Sequence, residues 1–458
     1  MIENDAFKLL LINLFHLNPD DITNIVCTTF NKMMVLLVTL ADKHQACPYC
    51  GFTAPKIKEY VTKEITHSAL TTQKCIIKYR ARRYKCSCCG KTYYEFNPFV
   101  FKSQKISILT VHNILKDLKD FNETFTSVAR RYHVSPTSVS TIFDNHVDIG
   151  RNPLPEIINF DEVYAFKSEK SKYVCVLLDF KKQIPVDVLP NRKKEYLLNY
   201  FQKIPLEERK KVKYACSDMY EVYRDVVHKV FPSCCMLLDY FHLSQDFHRK
   251  MNEVRIKVMK GYKDNKASDE YYLLKKFNWL LFKNPEDEDK YGRLFDVERE
   301  RKYNSHFKSY MNYYDLRKKI LEINNDLTIC YSLKLELVDF YSKSTIDNAK
   351  VNLENLIRSC IDTNIDEMIA FSNNLINWKQ EIINSFTIVG TEYKVEADKG
   401  QVVVCNKKVN NAIIENRNKI IKCIKNNANG YTNWSRFRNR VMYVLDPNAT
   451  FSLEPREK

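Results

Sequence analysis

The sequence predicts an α+β protein built from several domains, and three features of the chain support this fold class. Two Cys-x-x-Cys pairs flank strand-like segments near the N-terminus, residues 157–238 contain strands and then alternating helices and strands, and the long stretch after His242 is mostly helical and highly charged. The 458 residues correspond to about three domains. A chain of this length can bury a substantial core.

The charge balance indicates a polyanionic partner. The chain has 72 Lys and Arg residues against 56 Asp and Glu residues, which gives a formal net charge of +16. A surface this positive is typical of nucleic-acid binding, and an anionic membrane is the weaker alternative. The 8 glycines and 14 prolines argue against collagen-like and low-complexity chains, although an A/T-rich genome also favours such counts.

The sequence shows no secretion or membrane signal. It begins Met-Ile-Glu-Asn-Asp without a basic segment. Its longest apolar stretch, residues 33–41, is shorter than the roughly 20 residues of a membrane helix. We therefore expect a cytoplasmic protein without membrane contact. In a reducing compartment, clusters among the 15 cysteines are interpreted first as metal ligands.

The N-terminal part is predicted to begin with an apolar helical patch and to continue as a β module. Strands are predicted at residues 22–30, 33–40, 61–65 and 74–84. The first two flank Asn31-Lys32, and this arrangement predicts a hairpin.

Two cysteine pairs of this module predict a structural zinc site. Cys47 and Cys50 form one Cys-x-x-Cys pair, Cys86 and Cys89 form the other, and a glycine follows each pair. Four thiolates close a tetrahedral zinc site that keeps no open position for catalysis. The module is therefore predicted to be zinc-ribbon-like. Cys88 is the alternative ligand, and free buried or redox cysteines are the alternative interpretation.

Two segments are predicted to contact DNA. Residues 125–143 have helix-turn-helix spacing, in which Ser135 caps a second helix that begins at Pro136. On that helix, three residues would face the major groove: Thr137, Ser138 and Thr141. Near the second cysteine pair, Arg82 and Arg83 belong to a basic cluster suited to phosphate contacts. An ordinary helical hairpin and a solvated basic face are the alternatives.

Three acidic residues suggest a metal site at the edge of a sheet. Asp161 lies in the first strand of the alternating region, Asp218 ends its fourth strand, and Glu415 lies on a late helix. In a strand-strand-strand-helix-strand fold, the first and fourth strands are expected to be neighbours. A helix packed across their edge would add the third carboxylate. Carboxylates with open water positions suit magnesium.

Other acids compete for these roles. Glu162 follows Asp161 directly, but alternate residues of a strand face opposite sides, so only one of the two points into the site. Asp179, Asp187 and Glu396 rank lower because their local contexts lack the expected placement.

Together, the motifs resemble a transposase of the ISL-three insertion-sequence family, within the DDE superfamily. The resemblance runs from Cys47 to about Leu445. It rests on the order of these segments: Tyr84-Lys-Cys-Ser-Cys-Cys-Gly-Lys-Thr-Tyr93, Phe160-Asp-Glu-Val-Tyr-Ala-Phe-Lys167, Ser217-Asp-Met-Tyr220, Asp239-Tyr-Phe-His242 and Ile414-Glu-Asn-Arg-Asn-Lys-Ile-Ile-Lys422.

The resemblance implies an RNase H-like catalytic domain interrupted by a large helical insertion. It also implies that Asp161, Asp218 and Glu415 are the catalytic acids and hold two magnesium ions. Asp239 and His242 match a D-x-x-H element and are expected to position the site or contact substrate. The implied domains are residues 1–101 with the zinc module, 102–150 with the helix-turn-helix, 151–243 and 401–458 with the catalytic fold, and 244–400 with the insertion.

The expected reaction is magnesium-dependent cleavage at the element ends followed by strand transfer. The partners are then the terminal inverted repeats and target DNA, a homodimer is expected by analogy, and the location is the bacterial cytoplasm near the nucleoid. After Glu415, a basic tail is predicted to follow the phosphates through Arg417, Lys419, Lys422, Arg436, Arg438 and Arg440. Trp434 and its aromatic neighbours can stack on a base, although a core role is favoured.

The sequence departs from the family around the third acid. The family usually has glycine both shortly before and directly after its glutamate, whereas Val409-Asn-Asn-Ala precedes Glu415 and Asn416 follows it. An additional run, residues 393–406, also lies before the helix. An inactive or domesticated DNA-binding relative is therefore the alternative function, and an RNA-binding zinc protein is a third possibility that leaves the acids unexplained.

Overall fold

The chain forms a β module, a helical segment, a mixed sheet and a large helical insertion, and its last helices return to the sheet. The structure is a computed structural model that describes residues 2–43, 45–53, 55–68, 73–101, 104–166, 171–395 and 402–456. None of the helices in these ranges is long and apolar enough to cross a membrane.

The N-terminal module is one helix packed on a five-stranded sheet. Its elements are α1 (Ile2–Leu14), β1 (Ile22–Phe30), β2 (Met33–Leu40), β3 (Lys56–Thr66), β4 (Cys75–Lys85) and β5 (Thr92–Tyr94). The strand order is β1-β2-β4-β3, and β5 pairs with β4. The predicted hairpin is confirmed: Asn31 and Lys32 both have positive φ, at 46° and 61°, the backbone twist that a two-residue hairpin turn needs.

Three short helices follow: α2 (Ile108–Asp117), α3 (Phe125–Arg131) and α4 (Pro136–His146). The predicted start of α4 is confirmed, because the Ser135 side chain accepts the backbone N–H of Ser138 and Pro136 occupies the first turn. Val128, Val139 and Phe143 are fully buried in the small core of this segment. This spacing of apolar residues explains why the two helices α3 and α4 pack together.

The mixed sheet has five strands and helices on both faces. Its elements are β6 (Ile157–Val163), β7 (Val174–Asp179), β8 (Pro185–Leu189), α5 (Lys194–Gln202), α6 (Leu206–Arg209), β9 (Tyr214–Ser217), α7 (Glu221–Val230) and β10 (Cys235–Leu238). The strand order is β10-β9-β6-β7-β8. β6, β9 and β10 are parallel neighbours, while β7 and β8 are antiparallel. The first and fourth strands are therefore adjacent, as predicted.

The insertion leaves the sheet directly after β10. Its helices are α8 (Tyr240–Lys260), α9 (Asp269–Lys276), α10 (Tyr313–Glu322), α11 (Asn325–Lys343), α12 (Ala349–Asp362), α13 (Asp366–Asn377) and α14 (Lys379–Asn384). Two small hairpins separate α9 from α10: β11 (Glu288–Asp289) with β12 (Gly292–Arg293), and β13 (Lys302–Asn304) with β14 (Ser309–Met311). The helices share one apolar core.

The chain then returns to the sheet through a hairpin, β15 (Ile388–Val395) and β16 (Val402–Lys408), and two helices, α15 (Ala412–Asn427) and α16 (Trp434–Leu445). The hairpin accounts for much of the additional run before the third acid. The predicted basic tail is corrected, because part of it forms α16. Phe437, Val441 and Met442 recur at helical spacing and are buried against the sheet, so the helix belongs to the core.

A buried histidine joins the β module to the helical segment. His67 is 1% exposed, its Nε2 lies 2.9 Å from the carbonyl oxygen of Phe15, and its Nδ1 lies 2.9 Å from the Ser107 hydroxyl. The carbonyl can only accept, so Nε2 carries the proton and Nδ1 accepts from Ser107. Burial lowers the pKa of His67 from 6.5 to about 4, and the ring is neutral in the folded protein.

We predict that this histidine weakens the fold in acid. The unfolded chain takes up the proton near pH 6.5 and the folded chain only near pH 4, so stability is lost as the pH falls through that window. The loss amounts to about 3 kcal/mol in the free energy of unfolding, measurable by urea titration at several pH values. His67→Gln should remove this part of the pH dependence, whereas His228→Gln, at an exposed position, should keep it. Equal pH dependence in wild type and His67→Gln would contradict the prediction.

Candidate active site

Three aspartates lie at the same level on three adjacent parallel strands, Asp161 near the end of β6 and Asp218 and Asp239 directly after β9 and β10. The first residues of β6, β9 and β10 are aligned in one row of the sheet. Four positions further along each strand direction lies an aspartate: Asp161, Asp218 and Asp239. Equivalent positions of parallel neighbours point to the same face. The register therefore collects three carboxyl groups at the carboxyl edge of the sheet, on the face covered by α15.

Helix α15 brings a fourth carboxylate to this edge. Its start is fixed to β6, because the Asn159 amide donates to the Asn411 side-chain oxygen at 2.7 Å and the Asn411 amide donates to the carbonyl oxygen of Phe160 at 3.4 Å. Glu415 lies in the first turn of the helix. The helix start thus places Glu415 beside Asp239, whereas Asp161 and Asp218 are not part of the close group that Glu415 joins.

His242 completes the cluster. It lies one turn after Asp239 on α8, with its Nε2 3.9 Å from a carboxylate oxygen of Asp239 and 3.8 Å from one of Glu415. Ligand atoms of these three residues all lie within 4.8 Å of one another. The separations exceed hydrogen-bond length and leave room for an ion between the groups. Asp239 and His242, which were predicted to position the site or contact substrate, thus lie beside the predicted acid Glu415.

Several polar atoms of the cluster are buried without hydrogen bonds. Within the described ranges, this holds for Oδ1 of Asp218, Oδ2 of Asp239 and Nε2 of His242. A buried polar atom without a partner is energetically costly and requires an explanation such as a missing ion. Carboxylate oxygens are the ligands that magnesium prefers, and imidazole nitrogen also binds divalent metals. The donor set therefore fits a divalent cation.

The pKa values of the carboxyl groups in the cluster also favour a bound cation. Burial, followed by the charge of nearby carboxylates, raises the pKa of both Asp161 and Asp218 to about 7: Asp218 acts on Asp161, and Glu162 acts on Asp218. Burial also raises the pKa of Asp239. Like charges gathered in a desolvated site disfavour ionisation. A bound cation would reverse this effect and keep the carboxylates charged.

Asp161 is the most firmly held of the acids. One of its carboxylate oxygens accepts the backbone N–H of Glu162 and the other accepts the Asn418 amide, both at 2.7 Å. Asn418 is 5% exposed and lies three residues after Glu415 on α15. Asn418 was not predicted from the sequence, although its i, i+3 spacing from a candidate acid on one helix face was the available signal.

Glu162 points to the other face of the sheet, as strand alternation predicted. It forms an ion pair with Arg192 and accepts the Tyr223 hydroxyl at 3.2 Å. The Arg192 guanidinium lies 4.7 Å from the ring centres of Tyr173 and Tyr220. The positive charge of Arg192 partly offsets the rise in the pKa of Asp218. Arg192 was not predicted, because only the fold brings these residues together.

The lower-ranked acids lie outside the cluster. Asp179 accepts the backbone N–H groups of Lys181 and Lys182 in the turn after β7. Asp187 accepts the Tyr200 hydroxyl and the Arg438 side chain, each at 2.7 Å. Both therefore have structural partners. Glu396 lies outside the described residues.

The four predicted cysteines form a second cluster. Sγ of Cys47 lies 3.7 Å from Sγ of Cys89, and Sγ of Cys50 lies 3.6 Å from Sγ of Cys86. All four sulfur atoms lie within 4.8 Å of one another, as tetrahedral ligands with metal–sulfur bonds of about 2.3 Å require. Cys88 is exposed and not part of the cluster. The cluster is compatible with a zinc module.

The glycine after each cysteine pair has a local explanation. Gly51 and Gly90 have φ of 76° and 70°, a conformation that favours glycine. Their N–H groups donate to the carbonyl oxygens of Cys47 and Cys86. The N–H of Cys89 lies 3.5 Å from the sulfur of Cys86, and this hydrogen bond, together with those from Cys88 and Cys50, lowers the pKa of Cys86 to about 7. Two tight turns thus present the thiols to one point.

The three arginines of α16 are engaged inside the protein. Arg436 pairs with Asp144, Arg438 pairs with Asp187, and Arg440 donates to the carbonyl oxygens of Asp120 and Glu123. The side chain of Arg440 is fully buried. These residues hold α16 against the sheet and the helical segment, so they are not part of the DNA surface proposed below. The aromatic neighbour Phe437 is likewise core, as favoured.

The remaining residues that were predicted to contact DNA fall into an exposed group and a group whose side chains already have partners in the protein. Thr137, Thr141, Lys419 and Lys422 are exposed. Four others already have partners: Arg82 pairs with Glu95, Arg83 with Glu59, Ser138 bonds to Ser135, and Arg417 donates to the carbonyl oxygen of Gln183. Only the exposed group is free to meet a large ligand without breaking such contacts.

Comparison with known proteins identifies the class as the transposases, enzymes that cleave and move DNA. A family model described as a transposase matches residues 158–397. Because this match covers more than half of the chain, the protein belongs to that family, the ISL-three type of DDE transposases, and the predicted family is confirmed. The match includes Asp161, Asp218 and Asp239 and ends before Glu415.

A full-length relative supports the same assignment. The chain is 19% identical over 409 residues to the "Transposase for insertion sequence element IS1001" of Bordetella parapertussis. The alignment covers 89% of this chain and 90% of that protein, so the similarity extends over nearly the whole length of both chains.

The charge crowding predicts that one acid destabilises the metal-free protein. Above pH 7, a folded-state pKa of about 7 for Asp218 means that its charged form opposes folding. Asp218→Asn in EDTA should therefore raise the free energy of unfolding by about 2 kcal/mol, measured by urea titration. Asp264→Asn, at an exposed position, is the control and should change little. A clear loss of stability in Asp218→Asn would contradict the electrostatic account.

Proposed function

We propose that this transposase cuts DNA at the ends of an insertion sequence and joins them to target DNA, using the carboxylate cluster as its active site. The observation that supports this most strongly is the alignment of Asp161, Asp218 and Asp239 on three adjacent strands, with Glu415 and His242 beside Asp239. We also propose that the mixed sheet is the RNase H-like catalytic domain, since its strand order and parallel centre agree with that fold.

The cluster is proposed to hold divalent cations, with magnesium as the physiological choice. Asp161, Asp218 and Glu415 remain the proposed principal ligands, and Asp239 and His242 are added because their unpaired atoms face the same space. When bound, two such ions would activate the attacking oxygen and stabilise the leaving oxygen of a phosphodiester.

The protein's own residues contribute orientation and charge. Asn418 fixes the Asp161 carboxylate, and Asn411 fixes the start of the helix that carries Glu415. Raised pKa values of the aspartates keep the empty cluster partly protonated, so the protein does not gather several bare negative charges before a cation arrives. The same buried charges then hold the cation in a fixed position.

DNA is proposed to contact the exposed group Thr137, Thr141, Lys419 and Lys422. The two threonines lie one turn apart on α4, which we propose as the recognition helix of a helix-turn-helix. The two lysines lie on α15, the helix that carries Glu415, so they are placed to contact phosphates near the cleavage point. The zinc module is proposed to support the same binding surface.

Cleavage assays test the proposal. The full chain with magnesium should cut DNA that carries the repeats flanking its own gene, and sequencing gels should show new 3′-hydroxyl ends. Asp161→Asn, Asp218→Asn and Glu415→Gln should each lower cleavage by at least about a thousandfold and keep DNA binding in gel-shift assays.

The control and the contrary outcomes separate the alternatives. Asp264→Asn should cleave like the wild type. A wild-type chain that binds the repeats but never cuts them would support the alternative function, an inactive DNA-binding protein. The departures from the family pattern around Glu415 favour that alternative. Cleavage that survives Glu415→Gln would show that another acid supplies the third carboxylate.

Zinc content tests the cysteine cluster. The chain should contain one zinc ion, measured by mass spectrometry of the purified protein, because four thiolates form one closed site. Cys86→Ser should lose the metal and unfold more easily, since a structural zinc site contributes directly to folding. Cys88→Ser is the matched control and should keep it. Full zinc occupancy in Cys86→Ser would rule out the assigned ligand set.

A further inference from the structure

A cavity of about 790 Å³ opens directly beside the carboxylate cluster. Asp239 and Glu415 form one side of it, and the rest comes from α8, α11 and the segment that leads into α15. The volume lies within the range of small-ligand sites, about 300–1,000 Å³. The cavity therefore has room for one compact part of a ligand whose other part is bound at the carboxylate cluster.

The cavity has aromatic walls. Tyr240, Phe241 and Tyr341 line it. Tyr341 is fixed by stacking on Phe386, with ring centres 5.2 Å apart and planes 24° apart. Phe241, in contrast, is 50% exposed, so a large apolar ring at the active-site edge is left without full burial. These walls suit a flat, partly apolar ligand.

The cavity also offers polar groups. The Tyr341 hydroxyl is buried next to the hydroxyl of Ser385, which donates to the carbonyl oxygen of Ile382 at 2.6 Å. Asn284 lines another side, and so does Lys408, which can attract a phosphate. A ligand with hydrogen-bonding edges and an attached phosphate matches this combination.

We propose that this cavity receives one unpaired nucleobase of the DNA strand whose phosphate lies at the carboxylate cluster. The inference rests on the proposed function and adds a substrate subsite to it. A base inside a duplex cannot reach the cavity, so the nucleotide must leave the stack, which is least costly at a mispaired or damaged position. Stacking on the exposed ring of Phe241 compensates for the lost base stacking without strong sequence preference.

Photocrosslinking locates the base. DNA carrying a single 5-iodouracil at successive positions around the cleavage point is bound to the full chain without magnesium, irradiated and analysed by peptide mass spectrometry. One position should crosslink to the peptide that contains Tyr240 and Phe241, or to the one that contains Tyr341. Crosslinks confined to other peptides, in a chain that cleaves normally with magnesium, would overturn the proposal.

Kinetics test the energetic role of the stacking ring. Phe241→Ala should lower cleavage of fully paired DNA about tenfold, and a mispair at the crosslinked position should restore most of that rate. Phe241→Tyr should retain activity, and Tyr310→Ala, at an exposed aromatic position on β14, should not change it. A defect in Phe241→Ala that the mispair does not relieve would overturn the proposal. Failure of the wild type to cleave any substrate would instead contradict the proposed function.

Discussion

The parallel register of β6, β9 and β10 is the constraint on which the proposed active site depends. Because the first residues of the three strands are aligned in one row, the aspartates four positions further along lie at one level of the sheet. A shift of one residue in either ladder would turn an aspartate to the opposite face of the sheet. The buried apolar residues on both faces of these strands therefore fix the site as well as the fold.

This arrangement requires compensation elsewhere. Bringing Asp161, Asp218 and Asp239 together in a desolvated site opposes folding, so the surrounding packing has to be firm. The contacts between Asn159 and Asn411 hold α15 on β6. The arginines of α16 anchor that helix to the sheet and to the helical segment. Rigid supports of this kind let a strained cluster keep a fixed geometry.

Local patterns could be predicted from the sequence, and contacts between distant segments could not. The hairpin at Asn31-Lys32 and the cap at Ser135 follow from short-range chemistry, and the four clustered cysteines follow from spacing. The burial of Arg440 and the pairing of Glu162 with Arg192 depend on which surfaces meet in the fold. The basic residues of α16 were predicted to belong to a tail. The apolar residues between them recur at helical spacing, and this pattern indicates a buried helix instead.

The insertion has a more direct role than separating Asp218 from Glu415 along the chain. It leaves the sheet at Asp239, the last aspartate of the row, and its following hairpin leads back to the start of α15. Both of its ends are therefore fixed at the cluster. Its first helix supplies His242, and α8 and α11 supply the aromatic walls of the neighbouring cavity. The insertion thus contributes to the proposed active site, because a sheet alone would leave the acidic edge open to solvent.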